Sequence, residues 1–94
     1  MIHMLCRNRV EDYDRWKRVF DSDPTAHREA GLELVALWRS LEDPNDIHFL
    51  FEVESVERAQ AFVEAPESAK AGEEAGVLDG EIHYLEPVSW PVGG

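Results

Sequence analysis

The chain has 94 residues, 44% of them hydrophobic, and its 20 acidic and 9 basic side chains give a formal net charge of −11. That length fits one domain, and the apolar share, which includes nine aromatic residues, supports a packed core and argues against disorder. A surface this acidic repels phosphate backbones and anionic lipid, so neither a nucleic-acid partner nor a membrane is expected. The charge is uneven. Residues 1–41 balance seven basic groups against seven acidic ones, whereas residues 42–94 set thirteen carboxylates against Arg58 and Lys70.

Residues 2–10 alternate as a strand, with Met4, Cys6 and Asn8 on one face and His3, Leu5, Arg7 and Arg9 on the other. Asp12 is placed to cap a helix carrying Tyr13, Trp16, Val19 and Phe20 at helical spacing. Asp23-Pro24 reads as a second N-cap, opening a short helix with His27 and Arg28 that closes at Gly31. Residues 32–41 and 47–54 form strands joined through Glu42-Asp43-Pro44-Asn45-Asp46, a turn cluster that makes them a hairpin. Ser55 caps a helix with an inner stripe of Val56, Ala59, Phe62 and Val63, and Ala65-Pro66 restarts a short helix ending at Gly76. Ile82–Glu86 is the last strand, and residues 87–94, with Pro87, Pro91 and Gly93-Gly94, form a tail to a domain spanning residues 1–86.

The order β-α-β-β-α-β predicts an α+β, ferredoxin-like fold with a four-stranded antiparallel sheet. Strands 1 and 3 are expected side by side at its centre and are read as parallel to each other. No sequence repeat is visible. Both helical regions cover the face bearing Met4, Cys6, Asn8, Phe49, Phe51, Val53, Ile82 and Tyr84. The other face presents Leu5, Leu50 and Leu85 in a row, flanked by charges and histidines. That is too apolar for water and too charged for a monomer core, so a homodimer packed through the uncovered sheet faces is expected. Arg7, Glu52 and His83 are expected to meet on that face, as a charge network in preference to a catalytic cluster. Pairing Leu41 with Ile47 would set Arg39 opposite Phe49 on the helix side and Trp38 opposite Leu50 on the other.

Asn8 is the one amide among core positions and needs hydrogen bonds. It is read either as satisfying the strand end or as orienting a ligand. Cys6 is the only cysteine, and His3, His27, His48 and His83 never fall at HxH or HxxxH spacing, so no metal is expected. Glycine-rich phosphate loops and a nucleophile elbow are absent, and no cofactor is expected. The first residues lack the apolar run of a signal peptide and no stretch is long enough to span a bilayer, which reads as cytoplasmic.

In its run Val10-Glu11-Asp12-Tyr13-Asp14-Arg15-Trp16-Lys17-Arg18-Val19-Phe20-Asp21, in Asp43-Pro44-Asn45, in Phe51-Glu52-Val53 leading to Arg58-Ala59-Gln60-Ala61-Phe62, and in Glu74-Ala75-Gly76-Val77, the chain resembles the dimeric α+β barrel superfamily. Within it the likeness is to a bacterial subgroup of small cyclase-like and antibiotic-biosynthesis-monooxygenase-like proteins, and it covers residues 2–86. The resemblance implies an active-site role for an asparagine late in strand 1, which Asn8 matches. The haem-degrading branch also uses a tryptophan ending strand 3 and a histidine in the second helical region. Here those places hold Glu52-Val53-Glu54 and Ser68-Ala69-Lys70-Ala71, which disfavours haem chemistry.

The function expected is a small-molecule enzyme, a cofactor-free oxygenase or a cyclase/isomerase, acting on an aromatic or polyketide-like substrate between helices and sheet. Asn8, Tyr84 and His27 are the catalytic candidates, and Trp16, Phe51 and Arg39 the candidates for binding a small apolar or aromatic ligand. The alternatives are a non-catalytic ligand-binding dimer and a structural dimer with a filled core.

Overall fold

The computed structural model describes residues 1–22 and 24–89. Its elements are β1 (Ile2–Val10), α1 (Tyr13–Asp21), α2 (Pro24–Glu29), β2 (Leu32–Arg39), β3 (Asp46–Val53), α3 (Val56–Glu64), α4 (Pro66–Glu74) and β4 (Val77–Leu85). This is the expected α+β order, with each helical region broken in two. The breaks follow local chemistry. Asp12 accepts from the Arg15 amide at 3.0 Å and Ser55 from the Arg58 amide at 3.3 Å, so α1 and α3 each start on a side-chain cap. Proline opens α2 and α4, where its missing N–H is not needed. Asp23, expected to cap α2, lies outside the described residues, as do Pro91 and Gly93-Gly94 of the tail.

The sheet runs β2-β3-β1-β4 and every neighbouring pair is antiparallel. The central pair therefore corrects the expectation that β1 and β3 are parallel. A helical crossover makes β1 and β2 parallel, and the hairpin then reverses the chain so that β3 enters between them against both. The same register dissolves the expected cluster. Glu52 lies opposite His3, Arg7 opposite His48 and Glu81, and His83 opposite Leu5. Arg7 forks onto Asp46 instead, Nε to Oδ1 at 2.8 Å and Nη2 to Oδ2 at 3.0 Å. That pair holds the Asp46 carboxyl below the usual carboxylate range and raises the guanidinium further. Nor do three leucines align, because Leu5 meets Leu50 while Leu85 lies opposite His3.

In the hairpin Leu37 pairs with Phe49, Trp38 with His48 and Arg39 with Ile47. The pairing is two residues from the expected one, and an even slip keeps each side chain on its face. Arg39 is therefore on the helix side and Trp38 on the uncovered side. β4 starts at Val77, five residues before its expected start. Val77 pairs with Val10 and Gly80 with Asn8, so residues 77–81 belong to the strand as well.

Helices cover one sheet face, where Met4, Cys6, Ile47, Phe49, Phe51 and Val53 are buried with Trp16 and Ala59. The structure also brings out a repeat that the sequence hides. Val10-Glu11-Asp12-Tyr13-Asp14-Arg15 after β1 and Val53-Glu54-Ser55-Val56-Glu57-Arg58 after β3 perform the same task. The Glu11 amide donates to the Gly76 carbonyl at 2.9 Å, and the Glu54 amide to the Gly31 carbonyl at 3.0 Å. Arg15 pairs with Glu11 at 3.3 Å, and Arg58 with Glu54 at 3.2 Å. Arg15 also donates to the Glu74 and Glu73 carbonyls at the end of α4, at 2.7 and 3.2 Å, and Arg58 donates to the Glu29 carbonyl at the end of α2. A cation at a helix C-terminus satisfies orphan carbonyls and meets the negative end of the dipole. Gly31 and Gly76 both have φ of 74°, which lets the chain turn directly under each arginine. Replacing either arginine by methionine is expected to destabilise the fold by about 1–2 kcal/mol. Because the two clasps stand at opposite ends of the sheet, the double variant should lose close to the sum, as read from urea unfolding.

Candidate functional site

Between the helices and the sheet lies a cavity of about 490 Å³, within the few hundred to about 1,000 Å³ usual for small-molecule sites. Its walls are aromatic because α1 and β3 both place rings there. Trp16 lies 4.6 Å from Phe20 and 5.5 Å from Phe49 between ring centroids, and Phe49 lies 5.7 Å from Phe51. From α2, His27 enters a box of Phe20, Phe51 and Phe62, at 5.1, 5.3 and 5.7 Å. Ser22, Ser68, Glu67 and Glu74 complete the polar part of the lining.

Asn8 joins the two readings made of it. With its amide turned so that both neighbours are satisfied, Oδ1 accepts from the Trp16 indole at 3.1 Å and Nδ2 donates to the Arg7 carbonyl at 3.0 Å. The side chain thus ties α1 to β1. It also lines the cavity, with one amide hydrogen and one lone pair beyond those two bonds.

Of the residues singled out in the sequence, the structure brings Asn8, His27, Trp16 and Phe51 to this one cavity. Tyr84 and Arg39 are not among its lining. Tyr84 faces Met4 across the sheet and packs against the core. Its phenol is pushed up, chiefly by burial and then by Cys6 and Glu64. Arg39 lies over the Tyr13 ring at 4.4 Å from the centroid, a cation–π contact outside the cavity. Cys6 lines the cavity as a small hydrophobe, and burial pushes its thiol up to about 12, which keeps it protonated and non-nucleophilic near neutral pH. No group of three or more His, Cys, Asp or Glu side chains suited to a metal ion occurs among the described residues.

Sequence reasoning missed Glu67, Ser68, Glu74 and Gly80. Glu67 and Glu74, on the short acidic helix α4, border the cavity. Ser68 donates to the Phe62 carbonyl at the α3–α4 break. Gly80 faces Asn8, and a Cβ there would lie 2.8 Å from the Asn8 carboxamide and 3.0 Å from the Arg7 carbonyl oxygen. The alternation Leu78, Gly80, Ile82 was the signal available for it. Gly80→Ala should destabilise the protein by about 1–3 kcal/mol and disturb the Trp16 environment, checked by denaturant unfolding followed through tryptophan fluorescence.

No protein-family model matches the chain, and no curated protein matches it. Solved structures do. A Bordetella bronchiseptica protein named "putative antibiotic biosynthesis monooxygenase" superposes with a TM-score of 0.75 at 17% identity, covering 94% of this chain and 97% of that one. A nipsnap family protein of unknown function from Agrobacterium tumefaciens gives 0.69 at 17% identity, over 98% and 92%. An uncharacterised NIPSNAP domain protein from Burkholderia xenovorans gives 0.67 at 11% identity, over 97% and 98%. At such identities the likeness is one of fold. The chain shares the ferredoxin-like fold of these solved structures.

Proposed function

We propose that this protein is a small-molecule enzyme that takes an aromatic or polyketide-like substrate into the cavity between helices and sheet, for cofactor-free oxygenation or for cyclisation/isomerisation. The observation that carries the reading is the cavity itself, aromatic on its walls, with Asn8 and His27 both on its lining. A filled core would leave no such space. In this reading Trp16 and Phe51 hold the ring system, the remaining amide hydrogen of Asn8 positions a substrate oxygen, and His27 moves a proton. The Bordetella bronchiseptica neighbour's name points the same way.

A non-catalytic ligand-binding role is the second reading. It is favoured by the bonds that already engage Asn8, which give that residue a structural task without any reaction. His27→Phe separates the two, since a phenyl ring keeps the contacts with Phe20, Phe51 and Phe62 and cannot transfer a proton. With an aromatic compound that raises the melting temperature, the variant is expected to retain binding and lose turnover by 100-fold or more, measured by mass spectrometry of products. No product from the unaltered protein with any stabilising compound would leave the binding role.

The working form is proposed to be a homodimer packed through the uncovered sheet face. That face carries Leu5 against Leu50, with Trp38 51% and Leu85 44% exposed, a patch that a partner sheet would cover. Light scattering after size exclusion should give twice the mass of the chain, and Leu50→Glu should give a folded monomer. A dilute monomer of the unaltered protein with full secondary structure would exclude this arrangement.

A further inference from the structure

The charge of the cavity lining selects among substrates. Among the described residues its carboxylates are Glu67 and Glu74, both on α4 and both exposed, so they stand at the opening; His27 is its one histidine, and no lysine or arginine lines it. Behind them lie the rings of Trp16, Phe20, Phe51 and Phe62; aromatic rings carry a negative π-cloud that attracts cations. Arg15 reaches the same end of α4, but its guanidinium is bonded to the Glu73 and Glu74 carbonyls and to Glu11, and it is not on the lining. Lys70 of α4 is not on the lining either. An anionic ligand would meet two carboxylates at the opening and electron-rich rings inside, with no lysine or arginine on the lining to receive it. A protonated amine meets two carboxylates at the opening and aromatic rings within.

We infer that the ligand is an aromatic amine cation, whose ring system fills the aromatic walls while its ammonium group lies toward Glu67 and Glu74, and that the site discriminates against carboxylates. The inference rests on the proposed reading of the cavity as a ligand site, and names its substrate class.

Three probes of one shape test it by calorimetric titration at pH 8: 1-naphthylmethylamine, 1-naphthylmethanol and 1-naphthoic acid. The amine is expected to bind at least tenfold more tightly than the alcohol, and the acid more weakly than both. In the Glu67→Gln/Glu74→Gln double variant the amine's advantage should fall below threefold while affinity for the alcohol is unchanged. Glu57→Gln/Glu64→Gln changes the net charge equally away from the lining and should leave the preference intact. Equal binding of amine and acid, or a control variant that erases the preference as completely, overturns the inference. Alcohol binding without any preference for the amine overturns it too and leaves the cavity reading standing. Binding of none of the three removes that reading and the inference together.

Discussion

The structure depends on a clasp used twice. After each central strand, a glutamate backbone amide reaches the carbonyl of a left-handed glycine, and an arginine one turn later covers the C-terminal carbonyls of the other half's second helix. Arg15 ties α1 to the end of α4, and Arg58 ties α3 to the end of α2. These bonds fix where α2 and α4 stand above the sheet. Short helices of six and nine residues have little intrinsic stability, so their positions come from such tertiary bonds. The gap they leave is the cavity, and the clasps thereby determine the site, the Arg15 clasp through Glu74 on its border.

Trp16 is the second fixed point. It is buried and stacked on Phe20, and its one polar atom is bound by Asn8. A buried indole N–H without a partner would be destabilising by about 1–3 kcal/mol, so Asn8 serves stability and borders the ligand space at once. The close approach of Gly80 completes this arrangement from β4. Rigid rings on α1 and β3 prop the layers apart on one side while α4 and the residue after it contribute small side chains, Ala71, Gly72 and Ala75, on the other. That mismatch in size keeps the interior open.

Much of this was legible beforehand, and unevenly. Caps at Asp12 and Ser55, prolines opening α2 and α4, and glycines ending them depend on chemistry within a few residues, so they could be read directly. The alternation in β1 and β3 sorted helix-facing from uncovered side chains correctly. Asn8 stood out as the one amide among core positions, Trp16 and Phe51 as rings between helices and sheet, and His27 through its place in the short helix beside Arg28. Tyr84, chosen for its hydroxyl, and Arg39, chosen from the hairpin register, lie off the cavity, because a strand position specifies a face and not a distance along it. Gly80 was missed because Val77–Glu81, rich in charge and containing a glycine, has little strand propensity alone, and pairing with β1 overrides that weakness.

Composition and periodicity alone were enough for the fold class, the segment order and the division of side chains between two sheet faces, since these follow from local conformational preference and apolar spacing. Tertiary structure decided the antiparallel centre of the sheet, the partner of Arg7, and the placing of the exposed Glu67 and Glu74 at the border of the cavity. Each of those is a relation between residues far apart in the chain. Register and helix placement are settled by contacts that form only when both halves have met, and a charge on a short helix faces a site or the solvent according to where that helix is held.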